Sequence, residues 1–329
     1  MLICPLNVSE GRDSQRIAQL VAVAGESLLD IHSDAHHNRS VLTLGGPSVL
    51  LAVRNVTRRA MGTIDIRQHS GVHPRVGAVD VVPFVPTTPD EFGEATAARD
   101  EFAAWAGDVL SLPVFLYGPE RSLPEVRRRA FRDLSPDFGP ASSHRTAGAC
   151  CAGARGPLVA WNAWLATDDM ALARHIVRDL RAELTGVRAL AFTVDGRAQV
   201  SCNLVEPQTT GPDAVYDFVN ERSPVIRSEL VGLIQQSALS RVPRSRWQLL
   251  DLSPDRTIEA RTAKGPGAPG GWEAEAARRA RARARRSRRR SRSLIPPQMP
   301  NFSPLAKAYS RQSSRTTQPR HTSLASLVD

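Results

Sequence analysis

Apolar positions along the first 86 residues alternate between strand-like runs and helix-like stripes. Residues 2–7 (LICPLN) read as a short strand, followed by a polar turn at Ser9, Glu10 and Gly11. Ile17, Leu20, Val21 and Ala24 fall at i, i+3, i+4 and i+7, the stripe of an amphipathic helix that Asp13 or Ser14 can cap. Residues 27–33 and 40–45 read as a hairpin around the polar turn 34–39 (DAHHNR). Pro47 opens a second helix with Val49, Leu50, Val53 and Val56 on its apolar side. Residues 79–85 are apolar at both parities, which predicts a strand covered on both faces. Strand, helix, strand, strand, helix, strand is the ferredoxin-like order.

The order then repeats. Residues 158–165 predict a strand, and Thr167 caps a helix bearing Met170, Ala173, Ile176, Val177 and Leu180. Residues 189–194 and 199–205 form a hairpin about Asp195-Gly196, a strong turn signal. A helix with proline first spans 212–222, and 225–233 closes the set. The expected class is α+β: two ferredoxin-like (βαββαβ) subdomains, residues 1–156 and 157–262. Each leaves one sheet face free of helices, so the two bare faces should meet across a ligand groove. An appended stretch lies between the two sets. It reads as a helix over 90–105, a strand over 114–117 and a helix over 124–134. Residues 137–155 (DFGPASSHRTAGACCAGAR) are too rich in glycine and small side chains for a helix or strand throughout. They read as a loop that lets backbone approach a ligand closely.

Charge changes the picture only at the C-terminal end. The chain has 329 residues and a formal charge of +10, but 15 of its 43 basic residues and 3 of its 33 acidic ones lie beyond position 262. Residues 1–262 are thus near neutral, and their charge does not point to nucleic acid. Residues 278–292 hold ten arginines, and the remainder is Ser-, Thr-, Pro- and Gln-rich, so 263–329 reads as a disordered basic tail. Phosphate neutralisation by such a tail is conceivable, but it lacks interleaved aromatics and a folded motif, which favours a solvated segment over a nucleic-acid binder. No signal peptide and no apolar run of membrane-spanning length is visible. Cys4, Cys150, Cys151 and Cys202 form no CxxC pair, so buried free thiols in a reducing cytoplasm are expected.

Candidate chemistry concentrates in residues 67–86, RQHSGVHPRVGAVDVVPFVP. His69 and His73 are four apart, yet Gly71 between them and Pro74 after them oppose a helix. The reading is a rigid polar loop carrying two histidines and Arg75, held by the strand that follows. A metal pair is disfavoured, because no third ligand is evident. His69 either orients the loop or acts in the site. Asp80 can serve as a structural hydrogen-bonder as readily as a catalytic group. Asn38-Arg39 could simply close the hairpin.

Taken together, the chain resembles the formiminotransferases (glutamate formimidoyltransferases). The residues that carry the resemblance are Asn7, Ser9, Glu10 and Gly11; Asn38-Arg39-Ser40; and His69-x-Gly71-x-His73-Pro74-Arg75-x-Gly77-Ala78-x-Asp80. Further on come Pro136-Asp137-Phe138-Gly139-Pro140, Gly153-Ala154-Arg155 and residues 228–233 (SELVGL). The resemblance implies transfer of a formimino group from N-formimino-L-glutamate to N5 of tetrahydrofolate, which serves as co-substrate, with no metal. It implies His73 as the catalytic general acid/base. It implies a folate-contacting stretch of Gly139, Pro140, Ala141, Ser142, Ser143, His144, Arg145, Thr146, Ala147 and Gly148. It also implies a homodimer. Arg39, Arg75 and Arg155 would meet substrate carboxylates. An imidazole titrating near neutrality would move the proton in both directions. His36-His37, Arg145 and Cys150-Cys151 depart from the family pattern and bear on specificity. No cyclodeaminase domain is expected, so the chain reads as a stand-alone transferase. A transferase using a formyl or other amidine donor, and a non-catalytic folate-binding protein, are the alternatives.

Overall fold

A computed structural model describes residues 1–264; the expected arginine run and polar tail lie outside the described residues. The first sheet begins with β1 (Leu2–Val8), followed by α1 (Ser14–Ala24), β2 (Leu28–Asp34), β3 (Arg39–Gly45), α2 (Val49–Thr63) and β4 (Val79–Pro86). Then come α3 (Phe92–Leu110), β5 (Val114–Tyr117), α4 (Leu123–Arg129) and β6 (Cys150–Ala154). The second set is β7 (Val159–Leu165), α5 (Met170–Glu183), β8 (Val187–Val194), β9 (Arg197–Leu204), α6 (Pro212–Arg222) and β10 (Val225–Val231). Two short helices follow, α7 (Gln236–Leu239) and α8 (Ile258–Ala263).

The strand orders are β2-β3-β1-β4-β6-β5 and β10-β7-β9-β8. The first four strands of one sheet and all four of the other follow the ferredoxin-like plan, so the α+β expectation of two such subdomains holds. Alternation decides which face is covered. Cys4, Leu6, Val8, Leu42, Leu44, Val82 and Phe84 turn inward with residues of α2 and α3 to make one core. Trp161, Ala163, Leu165, Val200, Cys202 and Leu204 do the same with α5 and α6. Opposite-parity residues line a cleft between the sheets: Ile3, Pro5 and Asn7 from one, Ala160, Asn162, Ser201 and Asn203 from the other.

Three local expectations need correction. First, the stretch read as a loop contains β6, a buried strand between β4 and β5 that runs parallel to both. Its small side chains reflect crowding rather than absence of structure: a Cβ on Gly153 would lie 2.1 Å from the Tyr117 ring. Second, the helix over 170–183 is capped by Asp169, whose carboxylate accepts from the amides of Ala171 and Leu172; the Thr167 hydroxyl accepts from the Asp169 amide just before it. Third, the helix expected over 124–134 stops at Arg129. Asp13 caps α1, and Asp195-Gly196 turn the β8–β9 hairpin with φ of 54° and 71°. All four cysteines are buried and free.

Two contacts close the cleft at its ends. Ile3, Leu29 and Val85 of the first sheet cluster with Leu233 and Ile258, which bring the second set and α8 against it. At the other end His37 Nε2 lies 2.9 Å from Gln199 Oε1. Behind the histidine loop, backbone meets backbone at Gly77, where a Cβ would fall 2.0 Å from the Ala149 carbonyl oxygen. Gly77→Ala is therefore expected to lower unfolding stability by about 3 kcal/mol, read as a fall in the urea midpoint at unchanged slope.

Candidate active site

The cleft encloses about 810 Å³ and is lined by residues from both sheets and from α4. Near one end stands His73, on the loop before β4. Its Nδ1 is 2.7 Å from the Pro74 carbonyl oxygen and 3.2 Å from Nη1 of Arg39. The shorter contact assigns the proton: Nδ1–H donates to Pro74, leaving the Nε2 lone pair free. Burial and then the nearby Arg39 charge push the imidazole down to about 2. The expectation of a ring titrating near neutrality is therefore not met: His73 is held as a neutral imidazole. Phe192 of β8 packs on it across the cleft at 5.6 Å between ring centroids, and His37 at 5.9 Å.

Asp80 anchors this end. Its Oδ2 accepts from Arg39 Nη1 at 2.6 Å and from Arg127 Nη2 at 2.7 Å, and its Oδ1 accepts from the Val76 amide. Burial alone would raise its pKa, but the Arg39 and Arg127 charges outweigh it and hold the carboxyl down at about 2. Arg39 also donates to Asn7 Oδ1, and Arg127 to the Pro74 carbonyl. Asn7, Arg39, His73 and Arg155 line the cleft. Asp80 sits fully buried directly behind Arg39.

Other expected site residues are placed as supports. Ser9 Oγ donates to the Gly77 carbonyl. Glu10 accepts from the amides of Arg12 and Asp13 and pairs with Arg16. Asn38, in the left-handed region at φ 48°, accepts from the Gly11 amide and donates to the Ser70 carbonyl. Gly71 leaves room for the His37 carbonyl, which a Cβ would meet at 2.4 Å. Arg75, expected to meet a substrate carboxylate, instead spends its donors on the carbonyls of His37, Asn38 and His73. His69 lies within hydrogen-bond distance of the Arg75 guanidinium and the Asn38 carbonyl. Burial and then the Arg75 charge lower its pKa.

None of Gly139 through Gly148 is among the residues lining the cleft. The stretch packs behind the histidine loop: Thr146 accepts from the Ile66 amide, Ala147 from the Ala78 amide, and Gly148 pairs with Gly77. Ala141, Ser142 and Ser143 are exposed, and the His144 ring accepts from the amides of Thr146 and Ala147.

The second sheet contributes what the sequence reading missed: Asn162, Arg188, Ser201 and Asn203 on the cleft, with Gln199 and Phe192 at its His73 end, and α5 adds Arg181. The signal was present in β9, where Gln199, Ser201 and Asn203 alternate with Val200, Cys202 and Leu204. Arg127 and Arg128 of α4 were missed as well.

The formiminotransferase domain, N-terminal subdomain, matches residues 1–155. A glutamate formimidoyltransferase of Streptococcus pyogenes serotype M1 is 35% identical over 286 residues, covering 78% of this chain and 96% of that protein. The chain belongs to the formiminotransferase family. A glutamate formimidoyltransferase of Thermoplasma acidophilum is 32% identical over 295 residues, covering 79% and 97% of the two chains. A formimidoyltransferase-cyclodeaminase of Sus scrofa is 32% identical over 274 residues, and the match spans 50% of that longer protein. In this formiminotransferase, the matched N-terminal residues include Asp80 and both arginines that pair with it, Arg39 and Arg127.

Two outcomes test the site's electrostatics. Asp80→Asn leaves two buried guanidiniums facing each other and is expected to cost about 3–5 kcal/mol, measured by urea denaturation. Nitrogen-15 NMR of the labelled protein is expected to show His73 neutral, with the proton on Nδ1, from pH 8 down through 5. Because its folded pKa is depressed, the neutral ring's contribution to stability is complete above about 6.5 and drains away as pH falls below that value.

Proposed function

We propose that the protein is a glutamate formimidoyltransferase, moving the formimino group of N-formimino-L-glutamate to N5 of tetrahydrofolate and releasing L-glutamate. The observation that carries this reading is a neutral imidazole facing a cleft lined by arginines, in a chain whose similarity to such enzymes runs nearly their full length. A neutral Nε2 suits a base. The N5 lone pair attacks the amidine carbon, a C–N bond forms, and the N5 proton passes to His73 Nε2. The resulting imidazolium returns that proton to the glutamate nitrogen as the old C–N bond breaks. The Arg39 charge that lowers the ring's basicity is offset once a ligand carboxylate enters, which makes proton uptake easier with substrate bound than in the free protein. Holding both substrates in one cleft can supply about 7–11 kcal/mol of the barrier lowering, and acid–base help about 10²–10⁴ in rate.

The proton transfers themselves require no metal. Among the described residues, no group of three or more His, Cys, Asp or Glu side chains is placed to hold one. No described helix is long and apolar enough to cross a membrane. The reading takes the protein as a cytoplasmic homodimer acting on small molecules, with subdomains at residues 1–156 and 157–262, and assigns 139–148 to folate; the subdomains rest on the repeated strand–helix pattern, the cytoplasm on the unpaired thiols, and the dimer and folate stretch on the family resemblance. Spectrophotometric transfer assays on purified protein test it. His73→Ala is expected to lower kcat by about 10²–10⁴ while folate affinity stays within a few-fold. Wild-type protein that fails to transfer at saturating substrates would overturn the reading.

A further inference from the structure

Of the two adjacent histidines at 36 and 37, the first is exposed and the second is buried. His37 sits in the turn between β2 and β3, and its main chain is fixed in three ways. The Asp34 carboxylate accepts from its amide, Arg75 donates to its carbonyl, and Gly71 lies so close that a Cβ there would meet that carbonyl. The side chain is thus delivered to one place, and there it crosses to the second sheet. Its Nε2–H donates to Gln199 Oε1 on β9, and its ring meets Phe192 of β8 edge-on at 5.1 Å between centroids. Phe192 and Gln199 are cross-strand partners. One side chain of the first sheet therefore grips a matched pair of the second, close against His73.

Gln199 depends on that contact. It is fully buried, and its Nε2 has no hydrogen-bond partner among the described residues. Without His37 both ends of a buried amide would be orphaned, which is unfavourable enough that the side chain moves or takes up water. Either outcome wets the three-ring cluster of His37, His73 and Phe192. The charges acting on His73 come from Arg39 of β3, Asp80 of β4 and Arg127 of α4. Arg75 reaches the His73 carbonyl, and Asp34 lies beside His37. Phe192 and Gln199 carry no charge, so what they bring to the His73 ring is exclusion of water. Burial is also the largest influence on that ring's basicity.

We propose that His37 is a positioning residue, a latch that holds Phe192 and Gln199 of the second sheet over His73 and keeps that ring dry. Its catalytic consequence rests on the transferase reading: a dry base passes its proton between the two substrates rather than to solvent. The latch makes the state of the base depend on both sheets being in place, although His73 and the charged groups around it all belong to the first half of the chain.

Nitrogen-15 NMR of the full chain reads the latch without turnover. In His37→Ala the His73 ring is expected to titrate below about pH 6.5 and to be part-protonated at pH 5, where the wild-type ring stays neutral. The sign follows from burial: wetting lifts the penalty on the charged form, so the pKa rises. Phe192→Ala should move it the same way. His37→Gln, which can still donate to Gln199 but lacks the ring, should fall between His37→Ala and wild type. His36→Ala, in the same turn but exposed, should titrate as wild type does. In transfer assays the kcat/KM of His37→Ala relative to wild type is expected to fall about threefold from pH 8 to pH 5.5, as the base is lost to protonation. A purely structural role would lower that ratio equally at both pH values and would overturn the latch. Should His37→Ala fail to fold, Phe192→Ala and His37→Gln carry the same test. An unchanged His73 titration in these variants would overturn the latch and leave the transferase reading standing. Wild-type protein whose ring responds to the latch but which transfers nothing at saturating substrates would overturn that reading alone.

Discussion

One carboxylate without solvent contact organises the His73 end of the cleft. Asp80 draws Arg39 from β3 and Arg127 from α4 onto a single oxygen, and takes the Val76 amide on the other. Those arginines then reach the loop ahead of β4: Arg39 at the His73 ring, Arg127 at the Pro74 carbonyl. A buried charge is tolerated only when paired and hydrogen-bonded, so the three side chains must assemble together or not at all. Two positive charges around one negative leave a local surplus of positive charge. That surplus, added to burial, keeps the His73 ring neutral and leaves the neighbourhood receptive to carboxylates.

The cleft itself follows from how each sheet disposes of its apolar surface. Helices cover one face of each, and the other faces meet at their ends rather than throughout. The apolar cluster of Ile3, Leu29, Val85, Leu233 and Ile258 closes one end, and the contacts of His37 with Gln199 and of Phe192 with the two histidines close the other. Between them Asn7, Asn162, Ser201 and Asn203 supply polar groups that an interlocked apolar interface would exclude. The buried carboxylate of Glu229 is held from its own sheet by Asn162 and Arg227, with His32 of the facing sheet 3.9 Å away. The helix α4 walls one side and brings Arg127 and Arg128 to the cleft.

Much of the fold was legible because the two periods are clean. Helix stripes such as Ile176, Val177 and Leu180 and the Asp-Gly turn at 195–196 mark their elements without help from neighbours. The strand β6 was not legible: CCAGA carries neither alternation nor bulk, and its identity comes from lying between β4 and β5 with Tyr117 pressed onto Gly153. In the site, the string from His69 to Asp80 announced itself, but not the division of labour within it. Arg75 and His73 are two positions apart, yet one guanidinium closes a loop on three carbonyls while the imidazole faces the cleft.

Local pattern alone determined the two ferredoxin-like sets, the bare sheet faces and the loop that carries His73, because periodicity and turn chemistry act over neighbouring residues. Only the tertiary structure decided which arginines face the cleft and which are spent on backbone. It also decided that the imidazole is neutral and that one wall of the cleft comes from the second sheet. Those properties depend on burial and on charges brought together from residues as far apart as 39, 80, 127 and 192, and no local window of sequence contains them.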